Sequence, residues 1–250
     1  MTLLENERID YVNDSLSLIK KTDGLNFGTD ALILAGFIAG KYGYGIELGG
    51  GSGIISMLLL TRGKVDKIDA LEVQPTYAEL IERNAELNGL GERLYSHSAD
   101  IREFSPVKEA DIVFTNPPYM KSNSGRANTL SVKNIARHEI CGDIYDFMKA
   151  GAKMLKFGGI LAAVYRPDRL ADIICAMREA SVEPKRLTFV HADEKSEPSM
   201  ALIEAKKGAK SSMQVTRPLI IYKDSEHKIY SEDMEYIMEN GSFPSIFKKR

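Results

Sequence analysis

Short apolar runs alternate with longer amphipathic stretches along most of the chain. The short runs are typical of buried strands, and the longer stretches have the apolar spacing of helices. The pattern predicts strands at 44–48, 67–73, 94–100, 111–116 and 159–165, and helices at 29–39, 53–62, 75–90, 143–157 and 168–181. Strands that alternate with helices predict an α/β protein with a mostly parallel sheet and helices on both faces.

The pattern changes at both ends of the chain. Residues 10–21 contain a polar break at Asn13 between two apolar runs, which predicts a hairpin. Beyond residue 181 the pattern predicts a hairpin of strands 186–193 and 199–207, an edge strand at 219–222 and a helix at 231–241. We therefore expect a single domain over residues 1–250, whose seven-stranded sheet finishes with an antiparallel hairpin.

The composition narrows the possible function classes. The 250 residues are 44% hydrophobic and 27% charged, with a net charge of −2, so a sizeable core is expected and any nucleic-acid surface must be local. Cys141 and Cys175 have no companions at metal-ligand spacing, so we expect no metal and a reducing compartment. We also expect a cytoplasmic protein with no membrane partner, because the sequence shows neither a signal segment nor an apolar run of ~20 residues.

A glycine-rich turn follows the strand at 44–48. Gly49, Gly51 and Gly53 have the spacing G-x-G-x-G, which differs from the G-x-G-x-x-G of dinucleotide sites. A flexible turn explains the glycines equally well by themselves, but Glu72 at the end of the next strand is placed to accept hydrogen bonds from ribose hydroxyls. Glu47, just before the turn, would repel a phosphate and suit a cationic ligand. S-adenosylmethionine has the matching ammonium and sulfonium groups.

Two further strands end in polar residues. Asp100 follows the strand at 94–100, where it could accept a hydrogen bond from an adenine amino group or cap the turn that comes next. Asn116, Pro117, Pro118 and Tyr119 follow the strand at 111–116. The Asn116 side-chain oxygen and the Pro117 carbonyl can each accept one hydrogen of a planar NH2 group and orient it for methyl transfer.

Pro118 and Tyr119 complete the motif and also fit a site for methyl transfer to an amino group. Pro118, with Pro117, holds the backbone rigid, and Tyr119 offers a face for a base, a contact that contributes on the order of 1–3 kcal/mol. A rigid turn at the end of the strand would explain the prolines, but it would not explain the complete Asn-Pro-Pro-Tyr motif. The sequence therefore predicts a site that methylates an amino group.

The chain resembles class I S-adenosylmethionine-dependent methyltransferases that act on amino groups, and most closely the bacterial tRNA1(Val) adenine-N6 methyltransferase family. The resemblance rests on GGGSG, Glu72, Asp100 and NPPY in this order, and on the phrases FGTDALILA, IARHE and RPDRL. It implies a Rossmann-like fold and methylation of the tRNA adenosine just 3′ of the anticodon. It also implies that residues 1–45 close over the cofactor, with Phe27, Gly28, Thr29 and Asp30 at its methionine part and Asp30 near the ammonium group. Helix capping is an alternative role for Asp30, and the two roles are compatible.

An RNA-binding surface is expected in the basic stretch that follows the motif. Its cations are Lys121, Arg126, Lys133 and Arg137. They could bind phosphates around a flipped-out base, although charged runs are often only solvated. Further basic clusters lie at 206–210 and 248–250.

Other functions remain open at the level of sequence. A glutamine amide in a translation release factor presents the same planar NH2 group, but enzymes of that kind usually carry a longer helical segment before the glycine turn, and only 46 residues precede Glu47 here. Ribosomal RNA, with adenine or guanine as the target, is another candidate substrate. A non-catalytic binding module is disfavoured by the complete set of motifs. The oligomeric state stays open, and a monomer is compatible with the sequence.

Overall fold

The computed structural model describes residues 3–22, 28–118 and 142–247. Its strands are β1 (Glu7–Asn13), β2 (Leu16–Lys21), β3 (Tyr42–Leu48), β4 (Val65–Glu72), β5 (Leu94–Ser98), β6 (Ala110–Thr115), β7 (Leu155–Tyr165), β8 (Val182–His191), β9 (Pro198–Lys207), β10 (Gln214–Val215) and β11 (Leu219–Ile220). Its helices are α1 (Thr29–Phe37), α2 (Ile54–Thr61), α3 (Pro75–Leu87), α4 (Ile144–Met154), α5 (Leu170–Glu179) and α6 (Glu232–Asn240).

Seven longer strands form the sheet in the order β8-β9-β7-β6-β3-β4-β5. Strand β9 runs antiparallel to both of its neighbours, and the other pairings among the seven are parallel. The two-residue strands β10 and β11 add to β8 in parallel. The expected α/β fold, with its antiparallel β8–β9 hairpin, is confirmed.

Two strands, β7 and β8, begin four residues before their predicted starts at 159 and 186. The helix expected to reach residue 157 ends at Met154, and β7 begins at once with Leu155. The register of β7 on β6 then shifts, from Leu155 opposite Ala110 to Ile160 opposite Ile112. Leu155 is fully buried, so its apolar side chain fits the helical pattern although its backbone is already extended.

Two apolar layers cover the faces of the sheet. One layer packs α1, α2 and α6 with part of α3, and the other packs α4 and α5. Residues 54–60 of α2 are all buried, which explains why that helix shows little polar patterning. Among the helices that the structure describes, none is long and apolar enough to span a membrane.

The strand directions decide which side chains can reach a common site. The carboxyl ends of β3 to β8 lie along one edge of the sheet, because these strands run in the same direction. Ligands bind at that edge in open α/β sheets. Strand β9 ends with Lys206 and Lys207 at the opposite edge, where the Lys207 ammonium donates to the Leu155 carbonyl oxygen at 2.6 Å. The basic cluster at 206–210 is therefore remote from the motif-bearing edge.

Candidate active site

Three motif segments leave the sheet side by side. Leu48 pairs with both Leu71 and Thr115, so the residues that follow these positions emerge in one row. The Thr115 hydroxyl is buried and donates to the Leu48 carbonyl oxygen at 2.8 Å, which links the end of β6 to the start of the glycine turn. The order of the strands, β6-β3-β4, therefore places Asn116, the glycine turn and Glu72 next to one another.

The glycine turn is shaped by close packing on one side and open space on the other. Gly49, Gly51 and Gly53 all have positive φ values, of 72°, 56° and 80°. A Cβ atom at Gly53 would lie 3.1 Å from Ile81 of α3, whereas one at Gly51 would meet nothing within 4 Å. The turn therefore presses against α3 and leaves open space at Gly51, which fits a nucleoside that approaches the backbone closely.

Glu72 holds the glycine turn in place. Its Oε2 accepts a hydrogen bond from the Gly51 N–H at 3.0 Å, and its Oε1 accepts one from the Gln74 N–H at 3.0 Å. The residue is only 6% exposed. Each carboxylate oxygen can accept a second hydrogen bond, so the group can still receive two hydroxyl donors. This donor–acceptor arrangement fits the ribose of S-adenosylmethionine.

Glu47 lies differently from the sequence expectation. Its carboxyl group is fully buried and accepts hydrogen bonds from the hydroxyl and the N–H of Ser56 in α2. Burial raises the pKa of Glu47 to about 8, although the Ser56 hydrogen bonds oppose the shift. Burial therefore favours the protonated, uncharged form of Glu47 and works against the expected attraction for a cationic ligand. Its hydrogen bonds instead connect β3 to the first turns of α2.

Asp100 has partners of its own beyond β5. Its Oδ1 accepts from the Arg102 N–H at 2.8 Å, and its carboxylate pairs with the Arg102 guanidinium, with Nε at 2.9 and 3.0 Å from the two oxygens. The Arg102 hydrogen bonds hold the pKa of Asp100 below its usual value. The expected capping role is thus present, and an adenine amino group would share an acceptor that Arg102 already occupies.

Asn116 contacts the first turn of α1. Its Nδ2 donates to the Asp30 Oδ2 at 2.7 Å, while Thr29, beside Asp30, is the first residue of the helix. Pro117 is buried and Pro118 is exposed. The geometry therefore brings the first turn of α1 to the NPP turn, as a cofactor-closing helix would require.

Helix α1 is anchored at its other end by two cations. The Lys64 ammonium donates to the carbonyl oxygens of Ala35, Gly36 and Ile38 at 2.7, 3.2 and 2.6 Å. Arg186 donates to the Phe37 carbonyl oxygen at 2.7 Å and stacks on the Phe37 ring. Positive charge at a helix C-terminus is stabilising, because the last carbonyl groups lack partners within the helix. Asp30 is therefore carried by a firmly held helix.

The N-terminal hairpin docks beside the glycine turn through Asn84 of α3. The Asn84 Oδ1 accepts from the Ile19 N–H at 2.7 Å, and its Nδ2 donates to the carbonyl oxygens of Ile19 and Ser52, at 3.3 and 3.1 Å. Asn84 is completely buried. One side chain therefore satisfies the backbone of both the hairpin and the glycine turn.

A family model agrees with this arrangement. The model described as the methyltransferase small domain matches residues 21–169, which include α1, the glycine turn, Glu72 and the NPP turn. The chain belongs to the methyltransferase small domain family. The predicted enzyme class is therefore confirmed, and the membership supports S-adenosylmethionine as the cofactor.

Individual proteins resemble this methyltransferase over most of its length. It is 26% identical to the tRNA1(Val) (adenine(37)-N6)-methyltransferase of Flavobacterium johnsoniae over 77% of this chain and 80% of the relative. It is also 26% identical to the protein of the same name from Porphyromonas gingivalis, over 72% and 74% of the two chains. Its fold matches a crystal structure of a predicted O-methyltransferase from Agrobacterium tumefaciens, with a TM-score of 0.70 and 21% identity over 86% and 98% of the chains.

Several expected site residues lie outside the residues that the structure describes. They are Phe27, Tyr119, Lys121, Arg126, Lys133, Arg137 and the basic segment 248–250. Their roles stay predictions from the sequence. Within the described ranges, no group of three or more His, Cys, Asp and Glu side chains is arranged to hold a metal ion.

Sequence reasoning missed several residues that support the site of this methyltransferase. They are Ser56, Lys64, Asn84, Arg102, Thr115 and Arg186. Arg102 had a sequence signal, because it stands two positions after an acid. The others resemble ordinary helix, loop or strand residues, and their partners are found only in the folded chain.

Proposed function

We propose that this methyltransferase transfers a methyl group from S-adenosylmethionine to the N6 amino group of an adenosine in tRNA, next to the anticodon, in the cytoplasm. The observation that carries the proposal is the orientation of Asn116. Its Nδ2 donates to Asp30 at 2.7 Å, so its Oδ1 is left to accept a hydrogen from the substrate. The names of the similar proteins from F. johnsoniae and P. gingivalis support tRNA adenine as the target.

An adenine amino group needs help to react, because its lone pair is delocalised into the ring. The Asn116 Oδ1 and the Pro117 carbonyl oxygen each accept one of its two hydrogens, which favours a tetrahedral nitrogen with an exposed lone pair. The bound cofactor supplies an electrophilic methyl group on a sulfonium sulfur. The two acceptors work by orientation and by stabilising charge as it develops, so no strong base is required.

The cofactor would be held by the row of strand ends. Glu72 would receive the ribose hydroxyls, and the open side of Gly51 would admit the nucleoside. Asp100 would accept from the adenine amino group while keeping Arg102 as its partner. Residues 1–45 would close over the methionine part within a single domain of residues 1–250. The position of α1 against Asn116 supports this closure.

The RNA would be held by the stretch that follows the NPP turn. Tyr119 would stack on the flipped adenine, and Lys121, Arg126, Lys133 and Arg137 would contact phosphates. Neutralising two of these cations should lower RNA affinity and reduce the slope of log affinity against log salt by about 2. An unchanged salt dependence would mean that these cations are exposed to solvent and do not contact the RNA.

Methyl transfer to undermodified RNA tests the proposed function directly. Methyl-labelled S-adenosylmethionine would be incubated with the enzyme, total RNA from a strain that lacks this enzyme, and the cell protein of the same strain. We expect the label as N6-methyladenosine in a tRNA fragment that contains the anticodon, and none with Asn116→Ala. Label confined to protein, or to ribosomal RNA, would contradict the proposal and point to the corresponding alternative substrate.

A further inference from the structure

Asp30 and Asn116 make a side-chain contact that neither motif suggests by itself. They lie 86 positions apart, yet the Asn116 Nδ2 and the Asp30 Oδ2 are 2.7 Å apart. The other oxygen of Asp30 accepts the N–H of Ala31 at 3.0 Å, so the carboxylate is held from two directions. Helix α1 thus places the Asp30 carboxylate against the Asn116 amide, which is the proposed acceptor for the substrate amino group.

The chemistry of the contact decides which way the amide faces. An ionised carboxylate can only accept hydrogen bonds, so only the NH2 side of the Asn116 amide can meet it. The opposite orientation would bring two oxygen acceptors together without a hydrogen between them. Asp30 therefore selects the orientation in which Oδ1 is available for a substrate N–H.

Neighbouring residues keep the Asp30 carboxylate within hydrogen-bonding distance of Asn116. A Cβ atom at residue 28 would lie 2.7 Å from the Asp30 Oδ1, so Gly28 leaves the space that the carboxylate uses. At the other end of the helix, Lys64 and Arg186 bind the last carbonyl groups of α1. Both the N-terminal and the C-terminal ends of α1 are thus held in place.

We propose that Asp30 is a positioning residue for methyl transfer, which orients the Asn116 amide toward the substrate amino group. This role differs from the cofactor contact expected from the sequence, in which Asp30 lies near the ammonium group. The inference rests on the proposed function of Asn116. It extends the site from the NPP turn to the N-terminal helix.

The two roles of Asp30 predict different responses to two substitutions. A positioning role needs a group that only accepts hydrogen bonds; Asp30→Ala removes it, whereas Asp30→Asn keeps one acceptor oxygen and adds an NH2 donor. We expect Asp30→Ala to lower kcat about tenfold to a hundredfold, as for a misplaced catalytic group, with the Kd for S-adenosylmethionine almost unchanged. Asp30→Asn should lower kcat less than Asp30→Ala, because its single oxygen can serve either Asn116 or the Ala31 N–H. An ammonium contact needs the negative charge, so both substitutions would then raise the Kd similarly and leave kcat at saturating cofactor intact.

The experiment combines steady-state kinetics, calorimetric titration of the cofactor and urea unfolding of the same variants. Asp233→Ala is the matched control, because Asp233 is also an acid in the first turn of a helix but contacts Arg217 instead of the site. It should leave kcat unchanged. If Asp30→Ala lowers only the free energy of unfolding, or raises only the Kd, the positioning role is wrong.

A second measurement separates the failure of this inference from the failure of the proposed function. The side-chain NH2 signals of Asn116 can be assigned in a nitrogen-15 NMR spectrum by their loss in Asn116→Ala. Asp30→Ala should shift them in the enzyme without RNA, and Asp233→Ala should not. Unshifted signals would overturn the inference even with an active enzyme. If the wild-type enzyme methylates no RNA, the proposed function fails, and the NMR result still decides whether Asp30 orients Asn116.

Discussion

The two halves of the candidate site are built in different ways. The cofactor half joins the glycine turn to Glu72, whose contact with the Gly51 N–H spans 21 positions of the chain on adjacent strands. The transfer half joins Asp30 to Asn116 across 86 positions, through one hydrogen bond between two side chains. The first half uses mainly backbone donors, which every sequence supplies, and the second depends on the identity of both partners.

This difference teaches where the site is robust and where it is sensitive. Backbone donors keep their positions as long as the sheet is intact, because strand pairing fixes them. A pair of side chains keeps its geometry only if both of the elements that carry it stay in place. We therefore expect substitutions in the transfer half to change the rate of methyl transfer, and substitutions in the cofactor half to change cofactor affinity.

The largest effect is expected for Asn116→Ala. The change removes one of the two acceptors for the substrate amino group, so kcat should fall about 10²–10³-fold, as for other preorganised transition-state contacts. The measurement is single-turnover methyl transfer at saturating cofactor and RNA. Asn240→Ala is a control, because the Asn240 side chain donates within α6, to the Tyr236 carbonyl oxygen. Near-wild-type transfer by Asn116→Ala would remove the basis of the proposed transfer half.

The next largest effect is expected for Glu72→Ala. It removes the charged acceptor of the Gly51 N–H and of the proposed ribose hydroxyls, interactions that contribute about 1.5–3 kcal/mol. The Kd for S-adenosylmethionine, measured by calorimetry, should rise roughly tenfold to a hundredfold. The exposed Glu82 of the neighbouring helix provides the control Glu82→Ala. A lower kcat at saturating cofactor with an unchanged Kd would contradict the division between the two halves.

A smaller effect is expected when α1 loses its anchor. Lys64→Met removes the ammonium group from three carbonyl oxygens at the end of the helix, which should lower the free energy of unfolding by roughly 1–2 kcal/mol. Urea unfolding measures the change, and Lys67→Met, at an exposed position of β4, is the control. Because α1 carries Asp30, kcat should fall more than cofactor affinity. Equal losses in both would show that α1 serves the two halves alike.

The smallest effect on methyl transfer is expected for Glu47, whose contribution appears instead as a dependence of stability on pH. Its pKa is raised from the usual 4.5 to about 8 by burial in the folded protein. Between these values the native state keeps a proton that the unfolded state releases, so the free energy of unfolding falls as the pH rises. From pH 6 to pH 7 the Glu47 contribution should fall by at most about 1.4 kcal/mol.

Glu47→Gln isolates this contribution, because the amide does not titrate. The free energy of unfolding of the variant, minus that of the wild type, should increase from pH 5 to pH 8 in urea titrations. Glu86→Gln, at an exposed position of α3, should show no such trend. A flat difference for Glu47→Gln would mean that the carboxyl group is ionised in the native protein and that the cofactor half does carry its charge.

The sequence predicts the fold well for a physical reason. Burial on one or both faces of a strand, and on one face of a helix, is a local periodic signal, so most elements are recognisable within a few residues of their true ends. The early starts of β7 and β8 are the exceptions; at β7, the buried Leu155 satisfies either pattern. The candidates Gly51, Glu72 and Asn116 were also recognisable, since each follows an apolar run and parallel strands bring such positions to one edge.

The sequence by itself therefore determined the α/β architecture, the edge that bears the motifs and the methyltransferase class. Only the tertiary structure decided where the side chains between those motifs face. It turned Glu47 toward α2, where burial raises its pKa, and it brought Asp30 to Asn116. The reason is that periodicity reports whether a residue is buried, whereas its partner depends on the strand order and on helices placed tens of residues away.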